Sequence, residues 1–329
     1  MSGLEVQHLS VEFHTAGGVL QAVRDISFAL KPGHTLALVG ESGSGKSVTG
    51  RAILGILEAN ARVTAGRILY AHRDLLQLPE RELVPLRGRR IAMVFQDPLS
   101  SLDPLMRTGK QITEVMRLKQ GLSAAHAREK ALQLLQEVGI VDPVRCFHQY
   151  PHQLSGGMRQ RVVIAIAPAA DPEVLICDEP TTALDVTIQA QILELLDRLK
   201  QQRQLSMLFI THDFGVVAQM ADDVAVMYAG KVVEYGTAEE IFYDARHPYT
   251  RALLRSTPDP AGGQRLYAIP GTPPNMLHPP QGDAFAARNE YAMAIDYQRQ
   301  PPVFFVSETH WAATWLLHPD APKEGKAYG

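Results

Sequence analysis

The spacing of hydrophobic positions changes along the chain, and the changes divide it. Between residues 4 and 38, Val6, Leu9, Val11 and Phe13, then Ile26, Phe28 and Leu30, alternate partially with polar residues. That two-residue period predicts short strands with one buried face, and Thr15 to Gly18 suits a turn between them. Five short runs follow that are apolar almost throughout: Thr35 to Val39, Ile91 to Phe95, Val174 to Cys177, Met207 to Ile210 and Val224 to Tyr228. Such runs predict parallel strands buried on both faces. Helical spacing lies between them. Val48 to Leu57 reads as one helix. Ser123 to Gly139 reads as another, with Ser123 as cap, Ala131, Leu134, Leu135 and Val138 on one face, and Gly139 as stop. Gln189 to Arg203 places Ile192, Leu195, Leu196 and Leu199 together. Strands alternating with helices imply an α/β domain. Residues 100–157 interrupt the strand series and read as an inserted helical subdomain. Seven prolines between Thr257 and Gly282 mark a boundary or an extended wrap, followed by a short C-terminal appendage. The expected division is therefore 1–256 and 257–329.

Composition narrows the partners. The 329 residues hold 35 acidic and 32 basic side chains, a net charge of −3. A protein whose main partner is nucleic acid usually carries a basic excess, so none is expected here. Cys146 and Cys177 are the only cysteines, which implies no disulfide framework and fits a reducing, cytosolic compartment. Met1 to Glu5 lacks the charged-then-apolar pattern of a signal peptide. No stretch of about 18 apolar residues exists to span a bilayer. Any membrane function needs other chains.

The chemistry begins at Gly40-Glu41-Ser42-Gly43-Ser44-Gly45-Lys46-Ser47, which fits G-x-x-x-x-G-K-[ST] between an expected strand and an expected helix. Glycines there let backbone N–H groups turn toward phosphates. Lys46 reaches the β/γ-phosphates, Ser47 offers oxygen to Mg²⁺, and the helix N-terminus favours negative charge. Val174 to Glu179 is an apolar strand ending in two carboxylates: Asp178 to hold Mg²⁺ and Glu179 to polarise the attacking water. Leu154-Ser155-Gly156-Gly157 opens a further helix and exposes a second set of backbone donors.

These motifs, in this order, resemble the ATP-binding subunit of ABC transporters. Gln96 in Phe95-Gln96-Asp97-Pro98 resembles the Q-loop, Thr182-Ala183-Leu184-Asp185 the D-loop with Asp185, and His212 in Ile210-Thr211-His212-Asp213 the switch histidine. The resemblance implies a P-loop NTPase core: a RecA-like mixed sheet with N-terminal antiparallel strands, the inserted helical subdomain and a C-terminal extension. It implies that Phe13 stacks on adenine, and that Gly40, Ser42, Gly43, Ser44, Gly45, Lys46, Ser47 and Val48 hold the nucleotide. Ser47, Gln96 and Asp178 would serve Mg²⁺, with Glu179, His212 and Gln96 catalytic. Two such domains close head to tail around two ATP molecules, each facing the Leu154 to Gly157 signature of the other.

His247-Pro248-Tyr249-Thr250-Arg251-Ala252-Leu253-Leu254 and Ile269-Pro270-Gly271-Thr272-Pro273-Pro274-Asn275 resemble the C-terminal region of oligopeptide/dipeptide/nickel importer ATPases. Tyr150 to Gln153, and Thr181 to Gln191, are also similar to that group. The implied partners are a second, related ATPase, two transmembrane permeases and, indirectly, an extracytoplasmic solute-binding protein. The implied place is the cytoplasmic face of the inner (plasma) membrane, held peripherally. The solute is selected by those partners. A soluble ABC ATPase acting on ribosomes or DNA would show two cassettes or a long coiled coil, and this chain has one phosphate loop and no heptad run. A purely regulatory subunit fits poorly with intact Glu179 and His212.

Two departures from the group stand out. Many members carry four tail cysteines spaced for an iron–sulfur site, where this chain has Asp283, Asn289, Asp296 and Thr314. Thiolates hold such clusters, so none is expected. Asp283 and Asp296 read as solvated acids rather than as an oxygen-ligand metal site. Pro168 stands late in the helix expected from Gly157 toward Ala170, where the group has an apolar residue. It lacks the N–H that would bond the Ile164 carbonyl, so the helix stops early or is weakened.

Overall fold

The computed structural model describes residues 3–182, 184–257 and 267–322. Ala183 of the expected D-loop, residues 258–266 of the proline-rich stretch and residues 323–329 of the expected extension lie outside the described residues.

In chain order the strands and helices are β1 (Leu4–Thr15), β2 (Gly18–Leu30), β3 (Thr35–Val39), α1 (Lys46–Leu54), β4 (Ala61–Tyr70), β5 (Arg73–Asp74), α2 (Glu80–Leu86), β6 (Ile91–Val94) and α3 (Pro98–Ser101). Next come α4 (Thr108–Gln120), α5 (Ala124–Glu137), α6 (Pro143–His148), α7 (Gly156–Ile166), β7 (Val174–Asp178), α8 (Val186–Arg203), β8 (Ser206–Thr211) and α9 (Phe214–Met220). The chain continues through β9 (Asp223–Tyr228), β10 (Lys231–Thr237), α10 (Ala238–Tyr243), α11 (Pro248–Ser256), β11 (Phe304–Phe305) and β12 (Trp311–Ala312).

β2, β1, β4 and β5 form an antiparallel sheet in that order. The second sheet has the order β11-β12-β10-β9-β3-β8-β7-β6. Its strands from β9 to β6 run parallel, while β10, β12 and β11 pair antiparallel. Every residue of β3, β6, β7, β8 and β9 is buried, as expected of continuous apolar runs covered on both faces. Helices α3 to α7 lie between β6 and β7, where the inserted subdomain is expected. α5 begins on Ser123, whose side chain accepts from His126 N–H, and it buries Ala131, Leu134 and Leu135, with Val138 buried at its end. Each such Leu contributes about 1.5–3 kcal/mol through area removed from water.

The N-terminal strands are longer than their interrupted pattern suggests. The step from Val6 to Leu9 breaks the alternation, and the β1–β2 register shifts there. His8 takes φ 52 and Asp25 φ 53, and His8 Nδ1 meets Asp25 Oδ1 at 2.7 Å. Bulges on both strands return Leu9, Val11, Ile26 and Phe28 to the buried face, so one irregular sequence makes two continuous strands.

The C-terminal residues rejoin the core. β12 pairs with β10, and Phe285 is buried with Tyr228 and Tyr249. Asp283 and Asp296 are not solvated acids, contrary to expectation: they are 6% and 1% exposed. The physical reason is local. Asp283 Oδ1 accepts from Phe285 N–H, Asp296 Oδ2 from Met293 N–H, Asn289 Oδ1 from Tyr291 N–H and Thr314 Oγ1 from Leu316 N–H. The four oxygens satisfy turn amides. Burial, added to the nearby Asp283 charge, pushes the Asp296 carboxyl above its ordinary range.

α7 ends at Ile166 and continues as a 3₁₀ turn over Ala167–Ala170, with Pro168 in its first turn and Asp171 left-handed at φ 53. Proline is tolerated at the start of a helical turn, so the early stop replaces a disrupted interior. A small hollow beside Pro168 is lined by Met116 and Leu134 and, on its other sides, by polar side chains including Lys130, Glu137 and Arg203. Pro168→Leu restores an N–H for the Ile164 carbonyl. It should raise the melting temperature by about 2 °C, measured by scanning calorimetry; an unchanged or lower value would refute this.

Candidate nucleotide site

Strand register assembles the site. Val39 pairs with Thr211, Val94 with Cys177 and Asp178 with Ile210, so β3, β6, β7 and β8 end along one edge. Each is followed within two residues by a chemically distinctive one: Gly40 after β3, Gln96 after β6, Glu179 after β7 and His212 after β8. They meet around a cleft of about 970 Å³, which the loop from Gly40 to Val48 and Phe13 also line.

The loop between β3 and α1 is shaped to leave donors free. α1 starts after Gly45 with no side-chain cap, whereas Ser155, Asp185 and Asp213 cap α7, α8 and α9. Its first N–H groups are thus left for an anion. Two glycines are sterically required. A Cβ on Gly40 would collide with the Met227 carbonyl, and one on Gly45 would lie 2.5 Å from the Ala22 carbonyl oxygen. Lys46 is buried and turns its ammonium into the loop, donating to the Gly40 and Glu41 carbonyls at 2.7 and 2.9 Å. Burial draws its pKa down, against the opposing pull of Glu179, Asp178 and Glu41. Ser44 Oγ is buried without a partner. A loop with uncapped amides, an ammonium and an orphaned hydroxyl fits a polyphosphate.

The carboxylates are held differently. Ser47 Oγ donates to Asp178 Oδ1 at 2.7 Å, and Asp178 is fully enclosed. Burial raises its pKa, the Ser47 bond opposes that rise, and the Glu179 charge adds to it. Glu179 sits in the left-handed region at φ 46, its N–H given to the Ile210 carbonyl. That conformation is unfavourable for a residue with a Cβ and turns the side chain out of strand direction. Its carboxylate accepts from Gln96 Nε2 and Thr182 Oγ1, both at 2.9 Å, and His212 Nδ1 lies 3.3 Å away. Ser47, Asp178 and the amide oxygen of Gln96 are hard oxygen donors of the kind Mg²⁺ takes.

The expected signature is elsewhere. Leu154 is buried, Ser155 accepts from Met158 N–H as the cap of α7, and Ser155 and Gly156 are exposed. None of Leu154 to Gly157 lines this cleft. Asp185 is exposed and caps α8 through Ile188 N–H at 2.9 Å. Gln160 of α7 donates to the Pro180 carbonyl at 2.6 Å, joining the signature helix to the residue after Glu179.

A family model described as "ABC transporter" matches residues 23–182, and one described as "Oligopeptide/dipeptide transporter, C-terminal region" matches residues 233–295. The chain is 58% identical over 322 residues to the dipeptide transport ATP-binding protein DppD of Lactococcus lactis subsp. cremoris, covering 97% of this chain and 92% of that one.

The chain belongs to the ABC transporter ATP-binding proteins.

This ABC ATPase is also 56% identical over 323 residues to the oligopeptide transport ATP-binding protein OppD of Bacillus subtilis, covering 97% and 90% of the two chains. Among solved structures it resembles the dimeric post-hydrolysis state of the ATP-binding cassette MJ0796 bound to ADP and phosphate. The TM-score is 0.65 at 26% identity, over 71% of this chain and 98% of that one. The P-loop core with its inserted helices is the fold of such cassettes.

The cleft of this ABC ATPase also contains residues that its motifs do not announce. Leu20 to Ala22 of β2, Tyr228-Ala229 at the end of β9, Leu253 of α11, and Pro273 to Met276 of the C-terminal region complete its lining. Glu41, a variable position of the loop motif, is held by Arg288 through two bonds at 2.7 and 2.9 Å. The motif spacing fixes the loop but carries no signal for a segment more than 200 residues later.

Because burial disfavours the Asp178 carboxylate, the nucleotide-free fold loses stability as pH rises from the ordinary carboxylate range through the raised value. Asp178→Asn keeps an oxygen for Ser47 and removes the buried charge. At neutral pH it should raise the melting temperature of the nucleotide-free chain by about 2 °C, the gain shrinking toward acid. A lower melting temperature at neutral pH, by scanning fluorimetry, would show that the charge stabilises the fold.

Proposed function

We propose that this chain is the ATP-hydrolysing subunit of an ABC importer for peptides or a similar small solute. It would work at the cytoplasmic face of the inner (plasma) membrane, bound to two permease subunits. One observation carries the reading: the groups that would bind and hydrolyse a nucleotide gather at one strand edge, while Ser155 and Gly156 lie exposed, with Gly157 half-buried behind them, outside that cleft. A lone chain then holds half a site. A head-to-tail pair places the signature of each subunit against the phosphates of the other, and the MJ0796 dimer supports such a pairing. The names of the relatives support a peptide as cargo. Within this group the second ATPase is usually a related chain rather than an identical one, and an extracytoplasmic binding protein delivers the solute.

The chemistry assigned to each residue follows from its geometry. Phe13 offers its ring to adenine. Gly40 to Val48 wrap the phosphates, and Lys46 leaves the Gly40 and Glu41 carbonyls to meet them. Mg²⁺ bound between Ser47, Asp178 and Gln96 would neutralise phosphate charge as it develops. Glu179 orients the attacking water, with Gln96, Thr182 and His212 fixing its carboxylate. Asp185 stands at the cap of α8, where a partner subunit would approach. Asp283, Asn289, Asp296 and Thr314 supply no thiolate and would not hold an iron–sulfur cluster.

Affinity purification from gently solubilised native membranes tests the assembly. Two multi-span permeases and a second ATPase are expected; ribosomal or DNA-repair proteins without a permease would overturn the transport role. Glu179→Gln should lower hydrolysis by roughly 100-fold or more while ATP binding persists. Turnover near the parent rate, by phosphate release, would remove Glu179 from its assigned role.

A further inference from the structure

The C-terminal extension reaches the nucleotide cleft at two points. At the first, Pro273 to Met276 form part of its lining beside Leu20 and Phe13. This stretch is pinned: Gln21 N–H of β2 donates to the Met276 carbonyl at 3.2 Å, and Asn275 Oδ1 accepts from Leu277 N–H at 3.0 Å. At the second, Arg288 grips Glu41 of the phosphate loop through Nη1 and Nη2. Arg288 is buried, with its guanidinium over the rings of Tyr228 and Phe285, and its Nε donates to the Pro270 carbonyl at 2.8 Å. Glu41 N–H is given to Tyr249 Oη at 2.8 Å, so both the backbone and the side chain of Glu41 are held from the C-terminal part of the chain. One arginine thus joins the loop that meets the phosphates to the segment leading into the wall.

The chemistry of the two points differs. Proline and methionine present apolar surface that can lie against a heteroaromatic ring, and Phe13 and Leu20 supply more of it nearby. Arg288 reaches no ligand itself and can act only through Glu41.

We propose that the C-terminal extension is part of the nucleotide site, with Met276 forming a wall against the nucleoside and Arg288 positioning the phosphate loop through Glu41. This rests on the cleft being the ATP site. The affinity for nucleotide then depends on the extension being folded onto the core.

Calorimetric titration of the full chain with ATP and with inorganic tripolyphosphate, each with Mg²⁺, separates the two contributions. Met276→Ala should weaken ATP binding by about 3- to 10-fold and leave tripolyphosphate within about twofold, because only ATP carries the apolar surface that Met276 covers. Arg288→Lys keeps the charge but loses the two-pronged fork, and should weaken both ligands by a similar factor of about 3 to 10. Should Met276→Ala fail to fold, Pro274→Ala carries the same comparison. ATP affinity unchanged in the wall variant, or lost in equal measure for both ligands, would overturn the wall. Parental affinities in Arg288→Lys would overturn the positioning role. If the unaltered chain binds tripolyphosphate but gains nothing from the nucleoside, the wall also fails while the phosphate loop stands. If it binds neither ligand, the reading of the cleft as the ATP site fails first.

Discussion

Parallel pairing of β3, β6, β7 and β8 is the constraint on which the site depends. Each strand is buried on both faces, so none can slide without exposing apolar surface and breaking a ladder, on both sides for β3, β7 and β8 and on one side for the edge strand β6. Fixed register brings their C-terminal ends to one edge, and each strand is followed within two residues by a group that can meet a nucleotide. Ligands in α/β sheets bind at such edges because helices cover the faces and only the strand ends are open. The unusual local features follow from this placement. Gly40 must be glycine because the Met227 carbonyl from β9 approaches it, and Glu179 bends into the left-handed region to face the cleft rather than continue a strand.

The same core sets what a single chain lacks. The α7 signature is anchored by buried Leu154 and by the bond from Gln160 to Pro180, close in the hydrogen-bond network to Glu179 yet exposed on its own surface. The start of α7 is therefore held from behind and presented outward. In the proposed head-to-tail pair, closure around ATP would be an encounter between two such surfaces, and the short link from α7 to the β7 end would connect that encounter to Glu179.

The extension shows how polar residues order a segment with little regular structure. Asp283, Asn289, Asp296 and Thr314 each accept a turn amide, and Phe285, two residues after Asp283, packs against Tyr228 and Tyr249. Enclosing Asp296 and Asp283 lets the turns form but leaves charge in a poorly solvated place, and Asp283 Oδ2 remains without a partner. Backbone satisfaction and apolar packing hold the extension together.

Much of this molecule was legible in one dimension because its signals are local. Buried parallel strands are short apolar runs, a phosphate loop is a fixed spacing of glycines, and Ser123 caps its helix through a bond three residues long. Even Pro168 marks a helix end, since its missing N–H acts on its own turn. Other features arise from residues far apart in the chain. The His8–Asp25 bulges became apparent only when β1 and β2 paired. The burial of Asp283 and Asp296 depended on which backbone amides came within reach. The grip of Arg288 on Glu41 joins positions 247 residues apart, and no periodicity or motif spans that distance. Local geometry determined the elements and most of the chemistry; the tertiary fold decided which distant side chains share the cleft, because only packing brings them within hydrogen-bonding range.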